Sequence, residues 1–382
     1  MKNIGCIICT LILLQTGFPV KAQEDNLFMP EDFRVCAWIP LEKGSLPGNF
    51  KEVHFDIIHK YEPVNGYDSL MVAILNRMFS GDIDIYSPAE KGAYYPYGVE
   101  LQTDTISVND FIHNAGGYKE DLALFDEETG EMKTVMATHD PDLKEVKSVV
   151  FTETWNFDPE KFVFRKNVIA YEPVRHYFRE DDLERQAMIL RKTGRLIFNK
   201  KLSKKEIKKS DKRMQLCAKV AYEFPFKHRY EHLQYLKSGH SEIRDYPFEN
   251  PDAPFLNSIV ERELLNTLYE AVINEQVKAY DYYSKKPLSV KEVKENMGAT
   301  TDTVYFQDMD AQPQQQVVHN EARIFEIQSL IFIENWYIDM ETLRMKKEVT
   351  GIAPVRYYYP YGEADGPEIV SKVPFMILFN NN

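Results

Sequence analysis

The segment HRYEH, residues 228–232, has the residue types of a zinc site. It fits the H-x-x-E-H pattern of inverted zinc peptidases. On a helix, His228 and His232 would lie on one face as zinc ligands, and Glu231 would act as general base. No third ligand stands out in the sequence, and basic residues alternate with the histidines, as on a polar helix face. A zinc-dependent hydrolase is therefore an alternative rather than the preferred interpretation.

Other catalytic signatures are missing from the sequence. It contains no G-x-S-x-G elbow, no P-loop and no dinucleotide-binding fingerprint. The remaining histidines do not have metal-ligand spacing. We therefore predict no catalytic residue, no cofactor and no enzymatic activity.

Residues 1–22 have the pattern of an export signal. A positive start at Lys2 precedes an apolar run, and Val20 and Ala22 have the spacing of a signal-peptidase site. Removal of two lysines with this leader would lower the formal charge from −13 to −15. No later apolar run reaches membrane-spanning length. These features predict an exported acidic protein, and so large a negative charge disfavours nucleic acid as a partner.

A long phrase occurs twice in the chain. Residues 148–178 and 329–359, which are 181 positions apart, are identical at 12 of 31 positions. The second half of each phrase alternates apolar and polar residues, which is typical of a half-buried strand. Such self-similarity indicates a tandem duplication.

The repeat predicts the fold class. Each copy reads as a strand, a long helix, a short helix and then a strand hairpin, which is an α+β pattern. We predict a signal peptide at 1–22, module 1 at 33–180, a basic and partly helical linker at 181–211, and module 2 at 212–382.

Several residues recur at equivalent positions of the two copies. The tryptophans lie in apolar strands and are expected to be core anchors, whereas each arginine follows Pro-Val and could reach solvent or pair with a carboxylate. The predicted structural anchors are Trp155, Trp336, Pro173, Pro354, Arg175 and Arg356. Cys36 and Cys217 also correspond, and they would either form a disulfide or lie as small buried residues in matching sites.

The linker region is strongly basic. Residues 191–213 contain eleven Lys or Arg against Glu206 and Asp211. The segment is either a solvated helix or a contact for an acidic partner or anionic lipid headgroups. The candidate contact residues are Lys204, Lys205, Lys208 and Lys209.

Two tyrosine-rich loops spell YYPYG, at 94–98 and 358–362. Tyrosine supplies a large contact area at low entropic cost, so such loops suit protein interfaces. They leave a glycan- or peptide-binding module as a further alternative.

The second copy contains the segment ENWYIDMETLRMKKEVTGIAPVRYY, with a Gly-Ile-Ala-Pro phrase at 351–354. This segment resembles the gliding-motility GldN / PorN family, periplasmic components of the type IX secretion machinery of Bacteroidetes. The segments VKAYD at 277–281, PLSVKEV at 287–293 and VPFMILF at 373–379 also resemble this family.

This resemblance implies a structural role without catalysis. We expect a non-enzymatic scaffold or assembly subunit in the periplasm, held at the outer membrane through partners. The implied partners are envelope proteins, including an outer-membrane lipoprotein, and further copies of the chain itself.

Overall fold

The structure is a computed structural model of the whole chain. It describes residues 34–40, 57–64, 70–81, 83–88, 104–126, 130–178, 188–198, 203–225, 258–307, 313–358 and 370–379.

The helices are few and mostly short. Three begin with a capping box in which a serine and an acidic residue three positions later bond each other's backbone N–H groups. The five α-helices in the described residues are α1 (Leu70–Phe79), α2 (Val108–Asn114), α3 (Lys204–Arg213), α4 (Ser258–Ile273) and α5 (Val290–Asn296). Short 3-10 helices occupy Leu143–Glu145 and Ile324–Glu326.

Most of the described regular structure is extended, and the strands range from 2 to 16 residues in length. The strands are β1 (Arg34–Pro40), β2 (Ile57–Pro63), β3 (Tyr118–Asp126), β4 (Glu131–His139), β5 (Val146–Asp158), β6 (Val163–Phe178), β7 (Met188–Lys192), β8 (Leu196–Ile197), β9 (Gln215–Pro225), β10 (Ala279–Tyr280), β11 (Pro287–Leu288), β12 (Thr300–Gln307), β13 (Pro313–Asn320), β14 (Ile327–Asp339), β15 (Arg344–Tyr358), β16 (Val370–Lys372) and β17 (Met376–Leu378).

One curled antiparallel sheet organises the molecule. Its path runs β1-β5-β6-β15-β14-β9-β2. The short strands β7 and β8 pair alongside β6, and β16 and β17 pair alongside β15. The hairpins β3–β4 and β12–β13 form separate two-stranded sheets. Strand β2 comes from the first half of the chain but pairs with β9 of the second half.

The prediction of an α+β fold built from two strand–helix–helix–strand-hairpin modules is wrong. Strands account for 53% and helices for 23% of the structure, so antiparallel strands dominate. The linker is also more than a basic helix, because residues 188–198 form β7 and β8 against β6. Further, the predicted short helices are each followed by an additional hairpin, β3–β4 or β12–β13, that the repeat pattern did not reveal.

Two long hairpins, β5–β6 and β14–β15, form the centre of the sheet. Their turns are alike, because Phe162 and Leu343 both take a left-handed backbone conformation, with φ of 52° and 55°. The hairpins meet where β6 pairs with β15, at only two residue pairs, Lys166 with Lys347 and Arg165 with Glu348. This meeting point is the junction at which the candidate site lies.

The short strands that follow the long hairpins are placed alike. Gly351 and Ile352 of β15 pair with β17, and Ala170 and Tyr171 of β6 pair with β8, with a constant spacing of 181 residues between the corresponding positions. A duplication would produce such agreement. The duplication and the domain boundaries drawn from it stay predictions.

The main hydrophobic core lies on one face of the sheet, called here the core face, and includes residues from both halves of the chain. Helices α1, α2, α4 and α5 contribute their apolar residues to it. A smaller cluster, which includes Ile331, Ala353 and Met376, lies on the opposite face of the second hairpin.

Candidate functional site

Four charged side chains form a buried cluster on the core face at the junction. Lys166 Nζ lies 2.7 Å from Glu334, and Lys347 Nζ contacts Glu153. Each of these two contacts joins one long hairpin to the other, whereas Lys347 also lies 3.9 Å from Glu334 of its own hairpin. All four side chains have zero exposure. We call these four residues the crossed cluster.

Aromatic rings enclose the lysines of the crossed cluster. Lys166 Nζ lies 3.2 Å from the centre of the Phe332 ring, and Lys347 Nζ lies 3.6 Å from that of Phe151. Such contacts favour a cation, most strongly where water is excluded. Tyr222 adds a polar link, because its hydroxyl accepts from Lys166 at 2.7 Å and donates to Glu334 at 3.1 Å.

The tryptophans orient the carboxylates of this cluster. Trp155 Nε1 donates to Glu153 and Trp336 Nε1 donates to Glu334, each at 2.8 Å. Both rings are buried, with exposures of 2% and 0%. Besides packing in the core, each tryptophan therefore holds a carboxylate toward a lysine of the other hairpin.

Within the crossed cluster, burial and the neighbouring charges shift the pKa values in opposite directions. Burial lowers the pKa of Lys166, and Glu334 and Glu153 only partly offset this effect. For Glu334, burial alone would raise the pKa, but the neighbouring Lys166 and Lys347 outweigh it and hold the pKa below its ordinary value. Two cations and two anions thus balance within a space closed to solvent. Breaking a pair would leave a buried charge, so the cluster fixes how the hairpins meet.

The predicted anchor Arg175 packs against the end of helix α2. Its Nε donates to Glu145 at 2.5 Å, and its guanidinium stacks 4.0 Å from the Tyr177 ring. A Cβ on Gly116, which has a φ of +102°, would lie 2.5 Å from this guanidinium. Only glycine combines that backbone conformation with so close an approach.

Arg356 repeats this arrangement in the second half. Its Nε donates to Glu326, its guanidinium stacks 4.0 Å from Tyr358, and a Cβ on Gly298 would lie 2.6 Å from its Nη2. The sequence left open whether these arginines reach solvent or pair with carboxylates, and the structure pairs both of them. Pro173 and Pro354, two residues before each arginine, are buried opposite Val149 and Leu330 of the neighbouring strands.

Cys217 is a buried free thiol. It donates to the Trp336 carbonyl oxygen at 3.3 Å, and burial raises its pKa to about 12. Such a thiol is a poor nucleophile, because the thiolate is the reactive form. The Cys36 side chain lies outside the described residues, and a bridge between the two stays a prediction.

The predicted zinc ligands His228 and His232, together with Glu231, lie outside the described residues. Within the described ranges, no group of three or more His, Cys, Asp or Glu side chains is placed to hold a metal ion. Both YYPYG segments also fall mainly outside those ranges.

Helix α3 presents the predicted basic contact residues. Arg213 binds both carboxylate oxygens of Asp339, at 3.0 and 2.8 Å, and Arg344 binds Asp211 at 2.6 Å, so the helix is fastened to the turn of the second hairpin. Burial alone would raise the pKa of Asp339, but hydrogen bonds from Arg213 and Thr342 lower it to about 2. The fastening leaves Lys204, Lys205, Lys208 and Lys209 exposed.

The residues of the crossed cluster were not predicted as a site. The sequence did carry a signal, since Glu precedes each Trp by two positions and Lys166 and Lys347 recur at the same phase of their strands. A lysine at an inward-facing strand position is rarely buried without a partner. The carboxylate in the other copy was therefore the partner to look for.

Comparison with known proteins finds a family similarity for part of the chain. Residues 247–381 match the family model described as gliding motility associated protein GldN. No curated protein matches the chain. No helix in the part of the chain that the structure describes is long and apolar enough to cross a membrane. The match covers the second half only, so it leaves the duplication untested, but it confirms that residues 247–381 resemble the GldN family.

Proposed function

We propose that this chain is a non-enzymatic assembly subunit of the bacterial envelope that serves the gliding and type IX secretion machinery. The observation that carries the proposal is the match of residues 247–381 to gliding motility associated protein GldN. That stretch includes β14–β15, half of the crossed cluster and the hairpin β12–β13.

The periplasm is the proposed compartment. The leader-like residues 1–22 support export, and attachment to the outer membrane would come through a lipoprotein partner.

The exposed face of helix α3 is the proposed contact for an acidic envelope partner. Its lysines project from a helix that Arg213 and Arg344 fasten to the sheet, so the charges are presented on a rigid element. Rigid presentation lowers the entropic cost of binding.

Affinity purification of the tagged full chain from its native envelope tests this function. We expect proteins of the gliding and secretion machinery to be identified in the eluate. Replacement of the four lysines Lys204, Lys205, Lys208 and Lys209 by glutamine should weaken their recovery. The matched control replaces four other exposed lysines, Lys278, Lys286, Lys291 and Lys294, and should leave recovery unchanged. A chain that elutes without any such protein contradicts the proposal.

A further inference from the structure

The hairpin β3–β4 concentrates exposed apolar surface. Among the described residues, seven of the thirteen exposed large hydrophobic side chains lie in it. They are Tyr118, Leu122, Leu124, Phe125, Met132, Val135 and Met136. Within the described chain its strands pair only with each other. A two-stranded hairpin is marginally stable in water, and a third or fourth strand is what usually stabilises it.

The two outer edges of this hairpin, which pair with no other strand of the described chain, differ in how well they are protected from further pairing. Strand β3 carries three consecutive charges, at 119–121, and charged side chains are a common device that blocks pairing at an edge. Strand β4 contains the uncharged run TVMAT, at 134–138, with three β-branched residues. All of these residues but the half-buried Ala137 are exposed. The edge of β4 is therefore the one open to a further strand.

We propose that β4 pairs antiparallel with β4 of a second copy of this chain, about a two-fold axis at Val135. In an antiparallel pair, directly opposite residues have their side chains on the same side of the sheet. Because a two-fold axis relates the two strands, it must pass through one residue, which then lies opposite the same residue of the second copy. With Val135 on the axis, Glu131 lies opposite His139 and Lys133 lies opposite Ala137. Centring on Met136 instead would place Lys133 opposite His139, which has no complementary charge.

The resulting four-stranded sheet would place exposed side chains of the two copies side by side. Val135 is already paired with Leu122 of β3. Across the axis, one face would carry Leu122, Val135, Val135 and Leu122 in a continuous row. His139 Nε2 contacts Glu120 at 2.7 Å, which leaves Nδ1 as the nitrogen for Glu131 of the second copy. Acidic residues at the hairpin tip, including Asp126 and Glu131, argue against a lipid surface as the occupant.

This contact stands independently of the proposed place in the envelope. Light scattering on the purified full chain tests it through the oligomeric state. We expect the mass of a dimer for the parent chain and half that mass for Val135→Lys. Val317→Lys is the matched control, because Val317 lies on β13 of the other free hairpin and is similarly exposed, at 51% against 46%. A monomeric parent chain, or a dimeric Val135→Lys variant, overturns the proposal.

Cysteine cross-linking tests the register separately. A residue on the axis faces itself, so Val135→Cys alone should form a disulfide-linked dimer on oxidation. Met132→Cys should not cross-link alone, but it should do so when mixed with Thr138→Cys, its expected partner. Val317→Cys is again the control and should remain unlinked. Cross-linking of Met132→Cys alone, together with none at Val135→Cys, refutes this register.

Discussion

The two long hairpins make the same polar contacts on the core face of the sheet, but the residues on their opposite faces differ in polarity. On the core face, the Glu153–Trp155 and Glu334–Trp336 pairs make the same hydrogen bond with the same length. On the opposite face of β5–β6, Glu172 forms a buried ion pair with Arg195 at 3.1 Å. The corresponding positions on the second hairpin, 181 residues on, are Ala353 and Met376 in an apolar cluster.

The difference shows which contacts tie the hairpins together. On the core face, each lysine requires a carboxylate from the other hairpin, so a change on one side leaves a buried charge on the other. On the opposite face, the buried ion pair of Glu172 and Arg195 joins two residues of the first half of the chain. We therefore expect that face to accept an apolar pair in its place without a matching change in the second hairpin.

Neutralising one carboxylate of the crossed cluster should have the largest effect. Glu334→Gln and Glu153→Gln keep the side-chain shape but leave a lysine buried without its full counter-charge. We expect each to lower the free energy of unfolding by roughly 3–5 kcal/mol, measured by urea denaturation. Glu295→Gln, which removes an exposed carboxylate 3.8 Å from Lys291, should cost less than about 1 kcal/mol. Strongly unequal costs for Glu334→Gln and Glu153→Gln would show that the two sides of the cluster are not equivalent.

Replacing Glu172 and Arg195 by apolar residues like those at the corresponding positions of the second half should have the next largest effect on stability. Glu172→Ala alone leaves the fully buried Arg195 without its carboxylate and should cost about 3 kcal/mol. Two nitrogens of this guanidinium, Nη1 and Nη2, already have no hydrogen-bond partner among the described residues. The double change Glu172→Ala with Arg195→Met reproduces the apolar pair of the other hairpin and should recover most of the loss in urea denaturation. A double variant less stable than Glu172→Ala would contradict the independence of the opposite faces.

A smaller difference between the hairpins should appear in the pH dependence of the free energy of unfolding, because the first has His176 where the second has Tyr357. Burial, with a contribution from Lys147, lowers the pKa of His176 from 6.5 to about 4. The unfolded chain therefore binds more protons between these values, so stability falls as the pH drops from 6.5 to 4, by about 2 to 3 kcal/mol. His176→Tyr copies Tyr357 of the second hairpin and should remove this slope from urea midpoints measured across the window. An unchanged slope in the variant would assign the effect to other groups.

The repeated phrase predicted the centre of the fold better than its surroundings. The apolar alternation and the turn residues within residues 148–178 and 329–359 predicted two hairpins, and long hairpins are present at β5–β6 and β14–β15. The hairpins β3–β4 and β12–β13 gave no such signal, because their sequences do not alternate regularly between apolar and polar residues. The pairing of β2 with β9 joins residues far apart in the chain, and no local pattern encodes it.

The candidate site was predictable in its parts but not in its connections. Both tryptophans were chosen from the sequence because they lie in apolar strands, and both are buried in the structure. That Lys166 bonds Glu334 rather than Glu153 depends on how β6 meets β15, which tertiary packing decides. The pairing of Arg175 with Glu145 also depends on a 3-10 helix that the sequence did not indicate.

A pair of double-mutant cycles tests most directly whether the crossed cluster joins the two hairpins. One cycle combines Lys166→Met with Glu334→Leu, across the hairpins, and the other combines Lys166→Met with Glu153→Leu, within one hairpin. Coupling energies come from the urea unfolding free energies of the single and double variants. The account predicts clearly stronger coupling for Lys166 with Glu334. Equal coupling in both cycles, or stronger coupling between Lys166 and Glu153, would contradict it.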